Sequence, residues 1–148
     1  MTKLEGTPRN FSHSLPVTVD RQHFWSIWTD VSAWPDWDTP LAEATLNGEF
    51  VTGAVGKLET KAGQQSTFTL KHVEPGEGYT FETKLPGARL VIERYFKETE
   101  SDLMFMHNVR FEGPLGFVFA QLLGRGFMRD LPTVMEHLKQ VAEERAKL

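Results

Sequence analysis

The stretch VTVDRQHFWSIWTDVSAWPDWD, residues 17–38, carries all four tryptophans of the 148-residue chain. It leaves a strand-like segment, meets Asp20, a residue suited to cap a helix, and then sets Phe24, Trp25, Ile27 and Trp28 around one helical face. Asp30 or Ser32 could cap a second short helix, while Pro35 is expected to hold Trp34 extended. The pattern predicts two short helical pieces with a bend between them. Only part of the first aromatic set can face inward, and Trp28 is expected to be more buried than Trp25.

Upstream of this stretch, NFSHSLPVTV alternates Phe11, His13, Leu15 and Val17 against polar partners, which predicts a half-buried strand. Pro16 places it at an edge or a bulge. Downstream, from about residue 41 to 112, turn chemistry recurs at NGEF, VTGAVG, KAGQQS, EPGEG, LPGA and TESD. The segments KLET, STFTLKHV, YTFETKL, RLVIERYFK and LMFMHNVRF lie between these turns and predict a curved antiparallel sheet with one face inside. In the last segment Leu131, Val134, Met135, Leu138, Val141 and Ala142 recur at helical spacing, with charges opposite. Gly124, Gly126 and Pro132 predict a break or kink near residues 127–130, where Asp130 could recap the final helix.

Composition narrows the function classes. Apolar residues make up 40% and charged residues 24%, as in folded globular chains, and the length suits one domain over 1–148 with an ordered core from about 10 to 144. The net charge of −4 comes without a basic stripe, so no nucleic-acid partner is expected. The absence of cysteine removes disulfides, thiolate metal sites and cysteine nucleophiles. The start, MTKLEGTPRN, lacks the apolar run of a signal peptide, and LGFVFAQLLG is too short for a bilayer, which needs ~20 residues. The expectation is a cytoplasmic protein without stable membrane insertion, a monomer or weak homodimer. Histidines 13, 23, 72, 107 and 137 show no metal-binding spacing, and no nucleophile elbow, Walker loop or dinucleotide fingerprint occurs. No metal and no cofactor is therefore expected. Glu82 and Glu93 fall on outward strand faces, and Glu136 and His137 on the helix surface, so paired-carboxylate catalysis is not indicated.

The order of strand, two short helices, long meander and long C-terminal helix resembles the helix-grip fold of the START-like (Bet v 1-like, SRPBCC) superfamily. The resemblance is closest to its bacterial polyketide cyclase/dehydrase-type members and covers about residues 10–144. It rests on VTVDRQHFWSIWTDVSAWPDWD, NGEFVTGAVGKL, FTLKHVEPGEGYTFETKLPGARL, VRFEGPLG and LPTVMEHLKQVAEE. It implies an α+β fold: about six or seven antiparallel strands wrapped around the C-terminal helix, with an apolar cavity between them for a hydrophobic or amphipathic small molecule. It also implies that Trp34 and Trp37 lie at one edge of the cavity mouth. Such a fold serves many activities, so function must be argued from the site.

Strand alternation supplies that site. Phe68, Leu70 and His72 share one face, as do Tyr79, Phe81, Thr83 and Leu85; Leu90, Ile92, Arg94 and Phe96; and Phe105, His107, Val109 and Phe111. If TESD and LPGA close their hairpins, Phe96 faces Phe105, Arg94 faces His107 and Tyr79 faces Arg94. With EPGEG as the next turn, His72 comes near Tyr79 or Phe81, completing a polar row of His72, Tyr79, Arg94 and His107. The row depends on register, because a one-residue slip turns it outward. No acidic residue shares it. Arg94 suits an anion, and His107 or His72 a proton transfer. The row either anchors a ligand oxygen or forms a structural hydrogen-bond network. Phe117, Gln121 and Met128 are further candidates for the cavity floor, with Gly124 leaving room for a ligand.

Three functions compete. The first is a carrier or sensor of a lipid, quinone, polyketide or other aromatic compound. The second is an aromatase/cyclase- or dehydratase-like acid/base enzyme using Arg94, His107, His72 or Tyr79. The third is a co-chaperone-like interaction module using exposed aromatics of residues 24–38.

Overall fold

The computed structural model describes residues 4–148, so the first three residues of the polar N-terminal stretch lie outside the described residues. Eight antiparallel strands form one sheet: β1 (Glu5–Thr7), β2 (Asn10–Pro16), β3 (Leu41–Asn47), β4 (Val55–Thr60), β5 (Gln65–Glu74), β6 (Gly78–Leu85), β7 (Ala88–Glu98) and β8 (Leu103–Glu112). Their spatial order is β1-β2-β8-β7-β6-β5-β4-β3. The count exceeds the expected six or seven because β1, three exposed residues with no apolar alternation, leaves no periodic signal in the sequence.

Between β2 and β3 lie helix α1 (Arg21–Trp28) and a 3-10 helix (Val31–Asp36). Asp20 caps α1 through its carboxylate, which accepts from the backbone N–H groups of Gln22 and His23 at 3.1 and 3.3 Å. The expected extended Trp34 is corrected: Trp34 and Pro35 both sit inside the 3-10 helix, and the Trp34 carbonyl accepts from the N–H groups of Trp37 and Asp38. The pre-proline bias is a preference only, and burial of the Trp34 indole outweighs it here.

The chain ends in α2 (Gly116–Phe119), a π-helical turn (Ala120–Gly124) and α3 (Arg125–Arg145), which run on without a break. The break expected near 127–130 is absent, and Asp130 caps nothing: it lies inside α3 beside Arg129. The irregularity falls earlier, in the π turn, while Pro132 is carried within α3. Gly124 also has a different purpose from the one expected. A Cβ there would lie 2.2 Å from the Pro8 carbonyl oxygen, so the glycine admits backbone of the β1–β2 turn rather than a ligand.

The concave face of the sheet and the apolar stripe of α3 enclose the core. Met135 and Leu138 of α3 share one core cluster with Phe11 of β2 and Phe105 of β8, and Trp28, Trp34 and Trp37 lie beneath β5 to β8. Each fully buried aromatic of this set contributes roughly 1.5–3 kcal/mol relative to exposure. Gly56 matters locally, because the Phe68 ring lies where its Cβ would be, 2.3 Å away. Two outer ties hold the helices: His23 Nε2 meets the Ala142 carbonyl at 2.9 Å, and Arg145 pairs with Asp36.

Candidate functional site

The register places the expected pairs opposite one another: Tyr79 with Arg94, Arg94 with His107, and Phe96 with Phe105. On the next strand the row stops. Between Leu70 and His72 the ladder shifts, because Lys71 is inserted against β6 as a bulge. Leu70 pairs with inward Phe81, but His72 then pairs with outward Thr80, and Val73 takes the place opposite Tyr79. His72 is therefore exposed and bonds to Glu74 at 2.8 Å, which corrects its expected place in the row.

The remaining row is built around the end of α1. The carbonyl of Trp28, in the last helical turn, accepts from the Tyr79 hydroxyl at 2.8 Å and the Trp34 indole at 3.0 Å. Two aromatic side chains thus satisfy one of the carbonyls that every helix leaves unpaired. The Trp28 indole donates in turn to His107 Nε2 at 2.9 Å, so the ring proton of His107 sits on Nδ1. Burial, followed by the nearby Arg94 and His13, holds His107 well below the ordinary histidine value, as a neutral imidazole.

Arg94 is 4% exposed and lies among four aromatic rings. Its guanidinium carbon is 4.8 Å from the Phe81 centroid, 4.9 Å from Trp34, 5.0 Å from Trp37 and 5.8 Å from Tyr79. Nη1 donates to the Tyr79 hydroxyl at 3.1 Å, and Nη2 is 3.9 Å from the Asp38 carboxylate. The counter-charge missing from the strands is thus supplied by Asp38, just past the 3-10 helix. Burial raises the Asp38 carboxyl above its ordinary value despite the opposing pull of Arg94. The Tyr79 phenol is raised in the same way, again chiefly by burial. Two donors of the cage have no acceptor: Arg94 Nε and Trp37 Nε1 are both buried and unpaired.

The other expected site residues divide cleanly. Trp34, Trp37, Phe68, Leu70, Phe81, Phe105 and Val109 are buried with Tyr79, Arg94 and His107, while Ile92 and Met128 are partly buried against them. Trp34 and Trp37, expected at a mouth, are 1% and 0% exposed. Phe117 and Gln121, expected on the cavity floor, face solvent: Gln121 lies inside the π turn and Phe117 in α2 ahead of it, out of phase with the core stripe of α3. His137 is half-buried rather than a surface residue. Two clefts, of about 580 and 500 Å³, are lined by Lys71 and Arg89 and by Glu43 and Gln65, away from these residues. Among the described residues, no helix is long and apolar enough to cross a membrane.

A sheet wrapped around a long closing helix, with its polar groups under the middle strands, defines a helix-grip protein of the START-like superfamily. The chain belongs to the polyketide cyclase / dehydrase and lipid transport family, whose model matches residues 8–143. No curated protein matches it in sequence. Solved structures share the fold at low identity. A protein from Mesorhizobium loti matches with TM-score 0.74 and 16% identity, over 95% of this chain and all of its own. The Zhui aromatase/cyclase from Streptomyces sp. R1128 matches with TM-score 0.69 and 16% identity, over 93% of this chain and 95% of its own. Ara h 8.0201 matches with TM-score 0.70 and 8% identity, over 92% and 98%.

Proposed function

We propose that this protein binds a hydrophobic or amphipathic small molecule, of lipid, quinone, polyketide or other aromatic type, as a carrier or sensor. The observation that carries the reading is the pair of buried, unpaired donors, Arg94 Nε and Trp37 Nε1, inside an aromatic cage. A buried donor without an acceptor costs ~1–3 kcal/mol, and a ligand oxygen placed there recovers that cost. The rings supply the apolar surface for the rest of the molecule. Entry requires side chains to move, and Asp38 is the member of the cage that solvent reaches, at 24% side-chain exposure.

The catalytic reading fares less well on the same geometry. His107 spends its lone-pair nitrogen on Trp28, and the Tyr79 hydroxyl is spent between Trp28 and Arg94. A general base must reach the proton it removes. The interaction-module reading lacks its exposed aromatics, since Trp28, Trp34 and Trp37 are fully buried.

The test is titration with palmitate and with 1-anilinonaphthalene-8-sulfonate, followed by tryptophan emission and calorimetry. Saturable binding is expected. Trp37→Phe should weaken it by removing the unpaired N–H donor; the ring is fully buried, so the smaller side chain also lowers the melting temperature, and binding is measured well below that temperature. Binding of neither probe, or binding untouched by both Trp37→Phe and Arg94→Met, would overturn the proposal.

A further inference from the structure

Large apolar side chains are exposed at the start of the C-terminal helical run: Leu115, Phe117, Leu122 and Phe127, at 43%, 56%, 71% and 41%. They fall within thirteen residues, counted from 115 to 127, with Leu122 inside the π turn and the other three on either side of it. Single π turns within helices occur often at functional sites. A cluster of exposed apolar residues marks a contact surface more than isolated ones do. The proposed ligand site does not use it.

The charge around the cluster says what covers it. Residues 114–129 contain two charged residues, Arg125 and Arg129, both exposed, and no acid. Arg9 joins them from the β1–β2 turn, with its guanidinium beside Gly116. Asp130, beside Arg129, closes the stretch. This basic and apolar face stands on a chain whose net charge is −4. A second copy meeting it face to face would set the arginines of the two copies against each other. A basic rim around leucine and phenylalanine instead fits the interface of an anionic bilayer, where apolar side chains enter the acyl boundary and arginines meet headgroups.

We propose that the protein docks on anionic lipid membranes through this face, with Phe117 and Leu122 inserted and Arg125 and Arg129 on the headgroups. The test is co-sedimentation of the full chain with vesicles of phosphatidylcholine alone and of phosphatidylcholine mixed with phosphatidylglycerol. Sedimentation with the anionic vesicles is expected, weakened at least tenfold by high salt, by Arg125→Glu with Arg129→Glu, or by Phe117→Ser with Leu122→Ser. These exposed positions should leave the melting temperature nearly unchanged, which separates lost docking from lost folding. Absence of sedimentation with anionic vesicles would overturn the proposal. So would sedimentation unaffected by either double substitution, or light scattering that finds a dimer abolished by Phe117→Ser with Leu122→Ser.

Discussion

Replacing Tyr79 with phenylalanine removes one oxygen from the centre of the site and leaves no cavity in its place. The hydroxyl donates to the Trp28 carbonyl at 2.8 Å and accepts from Arg94 Nη1 at 3.1 Å. The two losses differ in weight. Trp28 keeps a second donor, the Trp34 indole at 3.0 Å, so its carbonyl is not orphaned. Arg94 is 4% exposed, its Nε is already unpaired, and its nearest carboxylate is 3.9 Å away. Losing a hydrogen bond to a buried charged group costs ~1.5–3 kcal/mol, so Tyr79→Phe should destabilise the fold by about 2 kcal/mol. For a chain of this size that lowers Tm by roughly 4–8 °C. The assay is urea unfolding of a double-mutant cycle with Arg94→Met. Without the guanidinium, Tyr79→Phe should cost only the ~0.5–1.5 kcal/mol of a neutral hydrogen bond, giving a coupling of about 1 kcal/mol. Additivity of the two substitutions within ~0.3–0.5 kcal/mol, the range expected of independent sites, would refute the reasoning.

Three further outcomes are expected. His107 is held below its ordinary 6.5, so its contribution to stability is complete above that pH and is lost as pH falls toward the depressed value. His107→Gln, which keeps an acceptor for Trp28, should flatten that part of a pH series of urea midpoints; Asp38, with its raised carboxyl, acts in the opposite sense, its contribution being lost as pH rises. Gly124→Ala should destabilise by ~1–3 kcal/mol through collision with Pro8, whereas Gly126→Ala, whose Cβ meets nothing closer than 3.8 Å, should stabilise by up to ~1 kcal/mol in thermal melts. Iodide should quench only the emission of half-buried Trp25, and Trp25→Phe should abolish that fraction.

The fold was readable where each strand buries one face. The turns LPGA and TESD set the register of β6, β7 and β8, so the facing of Tyr79, Arg94 and His107 follows from the residues alone, although Thr80, Val91 and Met104 on the opposite face are buried as well. His72 escaped because a bulge adds one residue with no chemical marker; Lys71 reads like any strand lysine. Asp38 escaped for another reason: it reaches Arg94 from outside the sheet, and strand alternation is blind to such partners. The role of the Trp28 carbonyl was equally hidden, since it depends on where α1 stops in space. An arginine predicted inward with no acid in its row was the one available signal that a partner must come from elsewhere.

The π turn at Ala120–Gly124 has a consequence for how this chain tolerates changes in length. A π turn closes i to i+5 where an α turn closes i to i+4, so it stores one surplus residue. Deleting Gln121 would let the run close as regular helix, and because five π steps and four α steps sweep nearly the same angle, the helix before the turn would keep its facing relative to α3. Phe117 would stay exposed and the core stripe undisturbed. A single-codon loss is absorbed here, whereas the same loss inside α3 would turn one side of the core stripe of Leu131, Met135 and Leu138 by roughly 100°.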